Sequence, residues 1–130
     1  MPKTPKVLIV DDEENFCRSL LKILTARKIQ ALAVYRGEAA LDELARNAYD
    51  VVLLDVKMPG ISGIEVLKRM KEQNLKAEVI VLSGHASLET AVEIVKYGAY
   101  DYLLKPCDTE ELLLKISNAY EQRLEKQKLR

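Results

Sequence analysis

The chain has 130 residues, 48% of them hydrophobic and 31% charged, and its 20 Lys and Arg balance 20 Asp and Glu to a formal net charge of zero. That length gives one domain with a single core, the apolar content excludes disorder, and neutrality removes the electrostatic case for gripping nucleic acid or an anionic membrane. Cys17 and Cys107 are too few for a disulfide scaffold, and the four apolar residues Val7 to Val10 fall far short of a signal peptide or a membrane span, so a cytoplasmic, reducing setting is expected.

In chain order, short apolar runs alternate with helical patterns. Lys6 to Val10 reads as a strand buried on both faces, and Phe16, Leu20, Ile23 and Leu24 then mark one face of a first helix. Ala31 to Val34 is a weaker strand, followed by a helix-favouring stretch from Gly37 to Asn47. Val51 to Leu54 is a third strand, and Ile64, Leu67 and Met70 mark a helix after the Pro59-Gly60 break. Val79 to Leu82 is a fourth strand. In the helix after it, Leu88, Ala91, Val92 and Val95 are expected to face the core, leaving Ile94 and Tyr97 outside. Tyr100 to Leu104 is a fifth strand. Asp108 caps a fifth helix with an acidic first turn, in which Leu112 and Ile116 point inward and Leu114 outward. Five βα units predict an α/β fold with an open, doubly wound parallel sheet, because a closed βα barrel needs eight.

Ligands of such sheets gather beyond the carboxyl ends of the strands. There the sequence places Asp11-Asp12-Glu13-Glu14, Asp55, Ser83-Gly84 and Lys105-Pro106. A helix N-terminus with Asp12 as cap accounts for part of the acidic run but not for Asp55 after a buried strand. Crowded carboxylates resist ionisation unless a cation joins them, and oxygen-only donors suit Mg²⁺, with Mn²⁺ as an alternative. Lys105 could simply pair with Asp55, and Ser83 could simply cap a helix. Together, though, a carboxylate nucleophile, a metal, a hydroxyl and an ammonium are the parts that move a phosphoryl group onto Asp55.

VLIVDDE at Val7 to Glu13, VVLLDVKMPGISGIEVL at Val51 to Leu67, VLSGHAS at Val81 to Ser87 and KYGAYDYLLKP at Lys96 to Pro106 resemble the receiver domains of bacterial two-component response regulators. The likeness covers about residues 5 to 122, and GAYDYLLKP resembles receivers of NtrC-type transcription activators in particular. It implies a flavodoxin-like five-stranded sheet of order 2-1-3-4-5. It also implies Asp55 as phosphoacceptor and Mg²⁺ on Asp11, Asp12, Asp55 and the backbone carbonyl of Lys57. Ser83 and Lys105 would hold the phosphoryl group, Tyr102 would be the aromatic switch that follows Ser83 inward, and Lys57 and His85 would tune phosphoryl lifetime.

Partners implied are a sensor histidine kinase or phosphotransfer protein and a phosphorylation-dependent homodimer. The dimer or an output partner would form through a face on the fourth helix, fifth strand and fifth helix that includes Ile94, Tyr97 and Leu114. Residues 1–122 are expected to be the receiver, and the charged residues 123–130 a helical extension or the start of a linker to an output domain. Such a domain catalyses only its own phosphorylation and dephosphorylation and binds neither DNA nor membrane itself. An aspartyl phosphatase of the haloacid dehalogenase type fits less well, since Lys57 stands where its second acid would be. A flavodoxin-like carrier fits less well too, since carboxylates occupy the place of its phosphate loop.

Overall fold

The computed structural model describes residues 4–84 and 87–129. Its elements are β1 (Lys6–Val10), α1 (Glu14–Ala26), β2 (Gln30–Val34), α2 (Gly37–Arg46), β3 (Val51–Leu54), α3 (Gly63–Glu72), β4 (Glu78–Ser83), α4 (Leu88–Lys96), β5 (Asp101–Leu104) and α5 (Thr109–Lys128). All strand pairs are parallel and the sheet order is β2-β1-β3-β4-β5, as the sequence predicts. Register brings Val10 beside Val34 and Leu54, and Ser83 beside Leu104, so the carboxyl ends of the strands finish along one edge.

The near-continuous apolar strands have a simple cause. Successive side chains point to opposite faces, so each strand feeds two cores. Val7, Ile9, Leu53, Ile80 and Leu82 pack with α1 and α5 on one side. Leu8, Val10, Val52, Leu54 and Val81 pack with α2, α3 and α4 on the other. Burying one such side chain contributes about 1.5–3 kcal/mol, which makes the central strands the rigid frame on which the loops sit. No helix among the described residues is long and apolar enough to cross a membrane.

The expected core face of α4 is not the one observed. In α4, Leu88, Val92 and Val95 are 81%, 58% and 78% exposed, while Ile94 is buried and packs with half-buried Tyr97 on the second core. The helix carries two apolar stripes, and Ile94 and Tyr97, three residues apart, form the one that meets the sheet. Periodicity alone cannot choose between them. Cys17 lies in the first core; it is fully buried, and its thiol donates to the Asp11 carbonyl at 3.4 Å. Burial and the nearby Asp11 charge push that thiol up to about 11, so it is inert.

α5 runs unbroken to Lys128. Lys126 meets buried Glu78, the first residue of β4, at 2.8 Å. Lys126→Met removes the cation that faces a buried carboxylate. It is expected to lower the unfolding free energy by about 1–3 kcal/mol, read by urea denaturation.

Candidate functional site

Backbone pairing beyond the strands sets the site. The Asp11 N–H donates to Val34 O at 3.1 Å, the Asp55 N–H to Val10 O at 2.9 Å, and the Lys105 N–H to Ser83 O at 2.8 Å. Asp11, Asp55, Ser83 and Lys105 are thereby fixed at adjoining strand ends. Asp11 and Asp55 are buried and Asp12 is exposed, yet carboxylate oxygens of all three lie within 4.8 Å of one another. Ser83 is fully buried.

Charge in this edge is unevenly settled. Asp55 accepts the Val56 N–H at 2.9 Å, but burial, reinforced by the Asp11 charge, pushes its carboxyl up to about 6. Lys105 forms its ion pairs with Asp11 at 2.5 Å and Glu13 at 3.0 Å, rather than with Asp55. Burial opposes the Lys105 charge, but the bonds to Asp11 and Glu13 outweigh it and hold the ammonium above the ordinary lysine range. Its Nζ also stands 4.2 Å from the centre of the Phe16 ring. The simple Lys105–Asp55 pair is therefore not what forms. Nor does Ser83 cap a helix: Ser87 caps α4, accepting from the Thr90 N–H at 3.1 Å, and Asp12 is not the cap of α1, whose N-cap is Glu13.

A groove of about 640 Å³ opens beside the cluster, and Asp12, Asp55, Lys57, Gly84 and Lys105 are among its lining residues. Tyr102 is half-buried on β5 and packs against the second core. His85 lies outside the described residues. Of the expected output face, Leu114 is 59% exposed, whereas Ile94 is buried and Tyr97 half-buried. The exposed apolar residues of that region are instead Leu88, Val92 and Val95 on α4, with Leu104 on β5.

Sequence reasoning missed Gly63. Its N–H donates to Val56 O at 2.8 Å, and a Cβ there would stand 2.0 Å from the Asp55 carbonyl oxygen. The signal available was the second glycine of Pro59-Gly60-Ile61-Ser62-Gly63, directly after the Ser62 cap of α3. Glu13 and Phe16, the further holders of Lys105, were also read only as parts of a helix start and a helix face.

Three buried or clustered carboxylates, an ammonium and a buried hydroxyl at the carboxyl edge make a donor set whose chemistry suits a hard cation and a phosphoryl group. The sequence matches the response regulator receiver domain over residues 7–117. It is 37% identical over 125 residues to the regulatory protein AtoC of Escherichia coli K12, covering 96% of this chain and 27% of AtoC. The chain thus spans about a quarter of the length of that relative. The beryllofluoride-activated NtrC4 receiver domain dimer superposes with a TM-score of 0.84 at 36% identity, covering 91% of this chain and 98% of that one. The response regulator TrrA of Thermotoga maritima, in complex with Mg²⁺ and beryllofluoride, gives a TM-score of 0.80 at 29% identity over 89% of this chain and 99% of its own. By motif, topology and site together, the chain belongs to the response regulator receiver domains of two-component signalling.

Proposed function

We propose that Asp55 is the phosphoacceptor of this receiver. The observation that carries the reading is a buried carboxylate, raised to about 6, set beside Asp11 and Asp12 at a groove that Lys105 also lines. Asp11, Asp12 and Asp55, with the Lys57 carbonyl, would hold Mg²⁺ or Mn²⁺; their all-oxygen donor set suits such an ion, and TrrA holds Mg²⁺ with beryllofluoride. The bound ion supplies neutralising charge to the phosphoryl oxygens.

The protein's own groups do the rest. An Asp55 oxygen attacks the phosphorus of a phosphohistidine on a sensor kinase or phosphotransfer protein, and the imidazole leaves. Lys105 pairs with one phosphoryl oxygen and Ser83 donates to another, both from fixed strand ends. Tyr102 follows Ser83 inward, and Lys57 and His85 tune the rate at which water later hydrolyses the acyl phosphate. The chemistry is confined to the chain itself, with no separate substrate turned over.

In this reading the receiver acts in the cytoplasm and spans residues 1–122, with 123–130 a helical extension toward an output domain. Any DNA contact then lies outside this domain, a reading that its neutral net charge supports. The test is intact mass after incubation with Mg²⁺ and acetyl phosphate: one added phosphoryl group is expected, and an unlabelled wild-type chain overturns the reading.

The output surface is redrawn around Leu88, Val92, Val95, Leu104 and Leu114, which are exposed. Their proximity to the Tyr102 strand supports a homodimer that forms on phosphorylation, and the NtrC4 receiver activated by beryllofluoride is a dimer. Val92→Glu is expected to abolish beryllofluoride-induced dimerisation in analytical ultracentrifugation while leaving the thermal midpoint unchanged. Ile94→Glu would bury a charge and report unfolding instead.

A further inference from the structure

Lys105 is held by more partners than phosphoryl recognition requires. Its side chain is 14% exposed, and its Nζ lies 2.5 Å from Asp11 Oδ2, 3.0 Å from Glu13 Oε1 and 4.2 Å from the centre of the Phe16 ring. The Glu13 N–H in turn donates to Asp11 Oδ1 at 2.9 Å, which closes a ring of three bonds among Asp11, Glu13 and Lys105. Glu13 is the N-cap of α1, and its extended backbone lets the carboxylate turn toward Lys105. Phe16, three residues on, lies beside it on the same side of the helix.

The three holders differ in what else they do. Asp11 is also a candidate metal ligand, so a cation on it competes with Lys105 for the same carboxylate. Glu13 and Phe16 have no such second role. Glu13 is the N-cap of α1 and Phe16 lies in its first turn, so a cation that engages Asp11 takes neither of these partners from Lys105.

We propose that Glu13, assisted by Phe16, is a positioning latch that keeps Lys105 on the α1 side of the site until a phosphoryl group on Asp55 draws it across. The inference rests on the phosphoacceptor reading. Because Lys105 must leave Glu13 before it reaches the phosphoryl oxygen, the strength of that pair opposes phosphorylation. An ion pair with one exposed partner sets the size of the effect at about two- to fivefold.

The experiment follows labelling by acetyl phosphate with Mg²⁺, using intact mass, together with the affinity for beryllofluoride by calorimetry. Glu13→Gln is expected to label about two- to fivefold faster and to bind beryllofluoride tighter by the same factor. Glu14→Gln removes an equal charge one residue away, at the first residue of α1, and serves as the control for the overall field of the acidic run. In a Lys105→Met background, Glu13→Gln is expected to give only the Glu14→Gln effect. Phe16→Leu should act in the same direction as Glu13→Gln. A gain no larger than that of Glu14→Gln, or one that persists without Lys105, overturns the latch while leaving the phosphoacceptor reading intact. An unlabelled wild type overturns that reading, and the latch with it.

Discussion

Asp55→Asn is expected to take up no phosphoryl group from acetyl phosphate and, in divalent-free buffer at neutral pH, to be more stable than the wild type. Both results come from one carboxylate. Its folded value of about 6 lies above its ordinary value of 3.8, so between those pH values the folded state binds more protons than the unfolded state. Stability from that proton is fully present below pH 3.8 and is lost as pH rises to about 6. Above this window the ionised, crowded Asp55 costs on the order of 2–3 kcal/mol. Asparagine removes that cost, so urea unfolding should show a gain at neutral pH that disappears near pH 4. Equal stabilities at both pH values would contradict the crowding described for Asp11 and Asp55. Equal labelling of wild type and variant would contradict the assignment of Asp55.

Gly63→Ala should have the second largest effect, and the reason is backbone geometry. The new Cβ would lie 2.0 Å from the Asp55 carbonyl oxygen, 2.8 Å from its carbon and 2.9 Å from Val56 Cα. None of these is the free end of a flexible side chain, so either α3 retreats or the loop after β3 moves. That loop follows Asp55, the proposed nucleophile, and carries the Lys57 carbonyl proposed to hold the cation. Forced overpacking of this kind costs about 1–3 kcal/mol, and displacing a reacting group by about 1 Å costs about 10²-fold in rate. Labelling is expected to fall by about that factor at a temperature where circular dichroism shows the variant folded. Gly60→Ala separates the two effects. Gly60 has φ of +79°, and its Cβ would meet the Glu38 carboxylate and the Arg36 guanidinium. It should therefore lose stability to backbone strain without a comparable loss of labelling.

The fold was legible because the three central strands are buried on both faces. Val7 to Val10, Val51 to Leu54 and Val79 to Leu82 are unbroken apolar runs, and no helix among the described residues has a run of that length. The site residues were legible for a related reason: topology alone brings strand ends together, so Asp11, Asp55, Ser83 and Lys105 could be grouped before any contact was known. What failed depends on side-chain geometry across elements. The hold of Glu13 and Phe16 on Lys105 spans some ninety residues of sequence, and nothing in spacing predicts it. Gly63 is a steric requirement of backbone it does not adjoin. In α4 the two stripes are both apolar, and the choice between them is made by which one the sheet can reach.

That choice has an energetic consequence. α1 buries three side chains and α3 and α5 bury several each, but α4 buries only Ile94. Its attachment therefore rests on roughly the 1.5–3 kcal/mol that one isoleucine contributes, together with the partial contacts of Tyr97. Coupling free energies between distant sites in proteins are commonly of the same size, about 1–3 kcal/mol. A coupling of that size from the proposed rearrangement around Ser83, at the end of the strand that leads into α4, would be enough to shift this helix without dislodging its neighbours. The helix that carries three residues of the proposed output surface is the one least firmly fastened to the sheet.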